Sequence, residues 1–202
     1  MHKFFISILL MLPLLLNKAQ GQRDDIGSRI FFPELYGISS PSAAGGYHIN
    51  KGFVFSSAAE YRFYNDNWFC RFNYDELNNH YDGEHTDIYS NIIAGKTTNA
   101  FLLIGAGYRF SQKKFAYYLL FQPGLAISGY NTTAQDATGI ILVDKSATNP
   151  GLKTAFGAEY YFTNGFAINA EAGYYRVLGP AGIEGSGYHP LSLSLGITTT
   201  LF

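Results

Sequence analysis

The chain has 202 residues, of which 14% are charged and 17% aromatic, and its formal net charge is −1. Soluble domains carry roughly 25% charged residues, so this chain is poor in charge, and without a basic block it is not expected to bind nucleic acid. The aromatic content excludes a disordered protein, and the single cysteine excludes an internal disulfide or a cysteine-based zinc site.

The N-terminal segment is typical of a secretory signal peptide, which we place at residues 1–21, with residues 22–202 as the mature domain. Residues 4–16 form an apolar run that is too short for a bilayer span of about 20 residues. Residues 19–21 then supply small side chains for cleavage before Gln22. We therefore predict that the protein is exported.

The exported chain has no later apolar run long enough for a transmembrane helix, yet it is rich in aromatic residues. Only helices and closed barrels satisfy all backbone polar groups in lipid, and barrel strands need only about 9–11 alternating residues. The sequence therefore predicts an all-β fold, a single eight-stranded antiparallel up-and-down transmembrane β-barrel. The strands are expected at about residues 28–38, 52–64, 68–75, 101–110, 115–128, 152–162, 166–178 and 191–202.

Three short polar turns, at 65–67, 111–114 and 163–165, each follow a similar hexamer that ends in two or three aromatic or basic residues. Another aromatic follows each turn almost at once: Trp68, Phe115 and Phe166. This repeat of about 50 residues predicts an aromatic girdle at one membrane interface. The turns are expected to face the periplasm, and the other connections are predicted to be long polar extracellular loops at about 39–51, 76–100, 131–151 and 179–190.

Three stretches resist this assignment. Residues 87–97 have strand-like character and are assigned as an extension of the fourth strand above the membrane. Pro33 and Pro123 fall inside predicted strands, where proline removes a ladder hydrogen bond. The segment at Pro123 is expected to be a bulge or the upper end of the fifth spanning strand.

Alternation also separates a lipid face from a lumen face. The apolar side chains of four strands share one face, whereas six charged residues lie on the opposite face: Glu60, Arg62, Arg71, Arg109, Glu159 and Glu171. Each lies near a short turn, so we expect a common depth in the lower lumen. An eight-stranded barrel is just wide enough for side chains to fill. The sequence therefore predicts an ion-paired plug and no open pore, with a proton or ion gate as the alternative.

Candidate chemistry outside the lumen is sparse. Residues 80–87 hold two histidines and three carboxylates that are chemically suited to zinc or calcium, but their spacing matches no defined site, and we predict a solvated loop. Ser186 with His189, or His85 with Ser90, could form a catalytic pair at the rim, but no nucleophile motif accompanies them. Arg176 is expected to contact lipid headgroups or lipopolysaccharide phosphates, or to snorkel to water. No catalytic residue, metal or cofactor is predicted.

The signal peptide, the alternating strands, the short turns opposite long loops and the C-terminal phenylalanine together resemble small outer-membrane β-barrel proteins of the OmpA-barrel and OmpX-like group. The resemblance covers about residues 28–202. It implies location in the cell outer membrane and recognition of the terminal Phe202 by the barrel-assembly machinery. Phe202 is out of phase with the alternation of the last strand, which departs from the usual signal.

Three function classes remain open at this stage. The first is a non-enzymatic barrel that supports the envelope or presents its loops to a surface or periplasmic partner. The second is a barrel subunit of a secretion or transfer complex, and the third is a lipid-modifying enzyme with a rim site. Outer-membrane lipids, lipopolysaccharide and the barrel-assembly machinery are the expected partners. A soluble exported barrel of lipocalin type is the competing fold, but its lumen would be apolar.

Overall fold

The computed structural model describes residues 29–41, 47–64, 67–83, 93–136, 139–163, 165–178 and 188–200. The predicted signal peptide and the terminal Phe202 lie outside these residues. The described part of the chain contains nine strands: β1 (Ile30–Pro41), β2 (Tyr47–Ile49), β3 (Gly52–Arg62), β4 (Trp68–Gly83), β5 (Ile93–Gln112), β6 (Phe115–Asp136), β7 (Gly139–Thr163), β8 (Phe166–Val177) and β9 (Pro190–Thr200).

Eight of these strands form one closed antiparallel barrel. Each of them pairs with its neighbours in the chain, β1 pairs with β9, and β4 pairs with β5, so the sheet has no open edge. The ninth, β2, is a three-residue strand that pairs with the upper end of β4. The all-β, eight-stranded architecture predicted from the alternation is confirmed. No helix among the described residues has the length and apolar character to cross a membrane.

The upper ends of the strands extend further than the sequence indicates. The segments 76–100 and 131–151 were predicted as loops, and this prediction is wrong for most of both. β4 and β5 pair as far as Gly83 with Ile93, and β6 and β7 as far as Asp136 with Gly139. Polar residues can continue a strand where both faces meet water, so polarity alone marks the end of the apolar belt rather than the end of the strand.

The β6–β7 hairpin rises above the barrel wall as a two-stranded ribbon. The pairing of β6 with β5 ends at Tyr130, and the pairing of β7 with β8 ends at Gly151. In the segment 131–150, the described residues 131–136 pair with 139–144 alone, and residues 145–150 pair with 125–130 of β6 but with no described strand on their other side. We call this segment the ribbon. The predicted extension of the fourth strand is present over residues 93–97 as part of β5, and residues 87–92 lie outside the described residues.

The two prolines lie in interior strands without a bulge. Pro33 pairs in register with Thr198 of β9, while the ladder to β3 is interrupted beside it. Pro123 pairs with Leu152 of β7, while the ladder to β5 is interrupted between Leu103 and Ala106. The register is the same on both sides of each gap, so the bulge predicted at Pro123 is wrong, and the strand continues past it to Asp136. Each proline lies beside a gap in the ladder, so no hydrogen bond is lost there for want of its N–H.

Outward side chains form an apolar belt that ends in an aromatic girdle beside the short turns. Trp68 contacts Tyr108 with ring centroids 5.1 Å apart, and Phe115 lies 4.9 Å from Tyr160, which in turn lies 5.1 Å from Phe162. The faces predicted to meet lipid are outward, and the three leucines of β9 are among the most exposed apolar side chains. A belt of this kind is stable only against hydrocarbon.

Candidate functional site

The lumen of the barrel is the candidate site, because its inward positions carry the buried charge of the described residues. The strand alternation that turns aromatic residues outward turns every second residue inward. The structure brings all six predicted lumen residues together, each at most 3% exposed: Glu60, Arg62, Arg71, Arg109, Glu159 and Glu171. They come from β3, β4, β5, β7 and β8, so the network joins walls of the barrel that are not neighbours in the sheet.

Glu159 is the centre of the lower part of this network. Its carboxylate accepts from Arg62 Nη2 at 3.1 Å and from Arg109 Nη2 at 2.5 Å. The Tyr161 hydroxyl donates to the same carboxylate at 2.6 Å and accepts from Arg62 Nη1 at 2.7 Å. The Arg62 guanidinium also lies over the ring of Phe31, with Cζ 3.5 Å from the ring centroid. The guanidinium groups of Arg62 and Arg109 thus share one carboxylate, Glu159, and the Tyr161 hydroxyl is hydrogen-bonded within the same group of side chains.

Glu60 links this lower part to the middle of the lumen. It accepts from Arg62 Nε at 2.5 Å and from Arg71 Nε at 2.7 Å. Arg71 Nη1 then donates to Glu171 Oε2 at 2.9 Å, and the Tyr118 hydroxyl donates to the same oxygen at 2.6 Å. The network therefore runs without a break across the barrel from β3 to β8.

Two glycines make room for the rings that line the network. A Cβ at Gly107 would lie 2.1 Å from Cζ of Phe69, and a Cβ at Gly157 would lie 2.0 Å from Cζ of Tyr118. Phe69 and Tyr118 pack edge to face, with centroids 5.8 Å apart. The Tyr118 hydroxyl reaches Glu171 because Gly157 leaves the space that its ring occupies.

The structure adds an ion pair that the sequence prediction missed. Lys153 Nζ donates to Asp75 Oδ2 at 2.7 Å and to Glu171 Oε1 at 2.9 Å, and both Lys153 and Asp75 are fully buried. The Tyr175 hydroxyl and the Asn73 amide donate to the two oxygens of Asp75 at 2.8 Å and 2.9 Å. Both residues fall at or near the ends of predicted strands, and they are not among the lumen charges predicted from the sequence. Their inward orientation could have been predicted from the sequence. Asp75 has the same strand phase as Arg71, and Lys153 has the same phase as Glu159.

With this pair the network contains four cations and four carboxylates, so its formal charge is zero. Buried charges are costly unless each is paired and hydrogen-bonded. The balance explains how a narrow barrel can hold eight ionised side chains in the lower and middle parts of its lumen. It also leaves the network without a net charge that would favour the passage of either a cation or an anion.

An apolar layer closes the lumen above the charges. Val54, Leu77, Phe101, Tyr175 and Val177 are each at most 2% exposed and belong to one cluster. Tyr188 tops this layer, and its hydroxyl donates to Asn79 Oδ1 at 2.6 Å. The described lumen thus contains two filled layers, a lower layer of ion pairs and an upper layer of apolar side chains that exclude water.

Most residues of the other predicted sites lie outside the described part of the chain. His189 stacks on Tyr174 with ring centroids 6.5 Å apart, whereas Ser186, His85 and Ser90 lie outside the described residues. His80 belongs to β4, and residues 84–87 of the acidic and histidine-containing segment are not described. Within the described ranges no three His, Cys, Asp or Glu side chains are grouped to hold a metal ion.

Comparison with known proteins identifies the family. The family model described as an outer membrane protein β-barrel domain matches residues 33–198. Neisserial surface protein A has 19% sequence identity over 86% of this chain and 98% of its own, with a TM-score of 0.56. Outer membrane protease OmpT from Escherichia coli has 12% identity over 85% and 95%, with a TM-score of 0.52. These two structures share the fold, and no curated protein matches the chain.

Proposed function

Because the chain belongs to the outer membrane protein β-barrel domain family and resides in the outer membrane, we propose that it is a closed, non-enzymatic barrel. Its role is to support the envelope and to present the ribbon and the neighbouring loops to a partner at the cell surface. The outer-membrane lipids and lipopolysaccharide surround its apolar belt, and the barrel-assembly machinery inserts it through a signal that includes Phe202.

The observation that carries this proposal is the filled lumen. The ion-pair network spans the barrel between β3 and β8, and the apolar layer covers it. A diffusion pore needs a continuous water path, and a rim enzyme needs converging nucleophile, base and oxyanion donors. The described residues fill the lumen instead, and a closed barrel wall carrying a projecting ribbon suits a structural or adhesive role.

A deletion strain separates a structural barrel from a pore and from a lipid-modifying enzyme. Loss of a structural barrel is expected to raise sensitivity to detergent and chelator, while uptake of small hydrophilic solutes and the masses of lipid A and phospholipids stay unchanged. Slower solute uptake after deletion would instead indicate a pore, and altered lipid masses would indicate an enzyme. Either result would overturn the proposal.

A complementation series then assigns the role of the ribbon. The full chain is compared with a variant in which residues 131–144 are replaced by a short turn that joins Tyr130 to its ladder partner Lys145, after unheated gel mobility shows that both barrels are folded. We expect the shortened variant to restore detergent resistance but not binding of cells to a surface partner. Loss of detergent resistance in this folded variant would contradict the division of roles.

A further inference from the structure

One ionisable side chain lies on the outside of the barrel, at mid-height of the apolar belt. Glu34 is an outward residue of β1, between the buried inward residues Pro33 and Leu35. Along the same outer face it is flanked by Phe32 below and Tyr36 above. The aromatic and aliphatic side chains on both sides place its carboxyl group within the hydrocarbon layer, not at an interface.

Glu34 forms a polar pair with an equally outward residue of the neighbouring strand. Ser57 of β3 lies opposite Glu34 in register, and its hydroxyl donates to Glu34 Oε1 at 2.7 Å. Among the described residues this is the one hydrogen bond of the Glu34 side chain. On the other side Glu34 faces Ile197 of β9, which offers no polar group. The second carboxyl oxygen, Oε2, therefore has no hydrogen-bond partner in the described part of the chain.

A carboxyl group in this position is costly if hydrocarbon alone surrounds it. Lipid tails supply neither donor nor acceptor, and ionisable residues inside membranes mark functional contacts by default. None of the outward residues of β1, β3 and β9 is basic, so no neighbouring cation compensates Glu34. Within one copy of the chain, only one of the two carboxyl oxygens of Glu34 is hydrogen-bonded. The other oxygen needs a hydrogen-bond partner from another molecule.

The surroundings of the pair permit a close approach by a second protein surface. Ala59 continues the outward face of β3 below Ser57, so the floor of this patch consists of small side chains. Larger exposed side chains rise beside it: Tyr36 at 59%, Phe55 at 42% and Phe72 at 49% exposure. Small residues let backbones come near each other in a bilayer, where packing and hydrogen bonds drive association.

We propose that the patch of Glu34, Ser57 and Ala59 is the centre of a contact between two copies of this chain in the membrane. A protonated carboxyl group carries both a hydrogen-bond donor and an acceptor. A two-fold axis through the patch brings the same groups together from both copies. Each Glu34 then donates to the partner copy, and two hydrogen bonds form that neither copy makes alone. An acyl chain lacks such groups, and an unrelated protein would need a matching donor at this depth.

Disulfide trapping in bilayers of purified protein tests this contact. In a Cys70→Ser background, Ala59→Cys places a thiol within the patch, and Leu119→Cys places one on the wall formed by β6, as the matched control. Oxidation is expected to give a cross-linked dimer with Ala59→Cys at least tenfold more readily than with Leu119→Cys. Equal yields at the two positions would mean random collision, so that lipid or another protein covers the patch, and would overturn the proposal.

Two substitutions of Glu34 separate hydrogen bonding from packing. Glu34→Leu removes both intermolecular hydrogen bonds, each worth about threefold in a bilayer, so cross-linking at Ala59→Cys should fall about tenfold. Glu34→Gln keeps a donor and an acceptor and should retain most of the dimer. Unheated gel mobility verifies folding, which a leucine on the lipid face favours. Unchanged cross-linking with Glu34→Leu would show that the carboxyl group does not hold the contact.

Discussion

Removal of the lysine in the lumen gives the sharpest test of the charge balance. Lys153 Nζ holds Asp75 at 2.7 Å and Glu171 at 2.9 Å, and none of these side chains is accessible to bulk water. Lys153→Met keeps the length of the side chain but leaves four carboxylates with three cations. Glu171 retains Arg71 at 2.9 Å, whereas the described partners that remain for Asp75, including Tyr175, are neutral.

The expected magnitude follows from that uncompensated carboxylate. Breaking a buried ion pair by removing one partner costs about 3–5 kcal/mol. Adding Asp75→Asn to Lys153→Met returns the network to three cations and three carboxylates. The remaining loss is that of neutral hydrogen bonds, about 1–2 kcal/mol. The double variant is therefore expected to be more stable than Lys153→Met alone by about 2–3 kcal/mol.

Urea unfolding in phospholipid vesicles measures this difference. The single tryptophan, Trp68, lies in the girdle and reports loss of the lipid environment by its fluorescence. Lys145→Met, at an exposed position of the ribbon, is the matched control and should leave the free energy of unfolding unchanged. If the destabilisations of the two single variants simply add in the double variant, the lumen does not behave as a balanced network and the reasoning is refuted.

Two further predictions concern packing and topology. Gly157→Ala should destabilise the barrel by about 1–3 kcal/mol, because its Cβ would lie 2.0 Å from Cζ of Tyr118, whereas Gly129→Ala, whose nearest neighbour is at 3.8 Å, should be neutral in the same urea assay. In a cysteine-free background, Ser146→Cys on the ribbon should react with a membrane-impermeant maleimide on intact cells, whereas Lys113→Cys in a short turn should react only after permeabilisation. Labelling with the opposite preference would reverse the orientation of the barrel.

The fold was predictable because one physical rule acts along the whole chain. A closed barrel in lipid requires alternation, and the aromatic repeats around the short turns give its register and strand number. The six predicted charges share the inward phase of their strands, so their meeting in the lumen follows from the same alternation. The strand ends were less predictable, because above the belt both faces of a hairpin meet water and the pattern vanishes.

The missed residues show where alternation alone is insufficient. Asp75 and Lys153 are 78 positions apart, and no local signal indicates that β4 and β7 face each other across the lumen. Glu34 was hidden for another reason, since β1 shows no clear face in the sequence and its outward row mixes Phe32, Glu34 and Tyr36. Which side of a strand is wet or buried depends on closure of the barrel, and closure is a property of all eight strands together.

Conductance across a planar lipid bilayer tests the closed lumen most directly. Purified, folded protein is added to a bilayer in concentrated potassium chloride, with a large open barrel as the positive control. The balanced network and the apolar layer above it predict a silent bilayer with no stepwise increase in current. Stable, long-lived current steps from the wild-type protein at neutral pH would show a continuous water path through the lumen and would contradict the account.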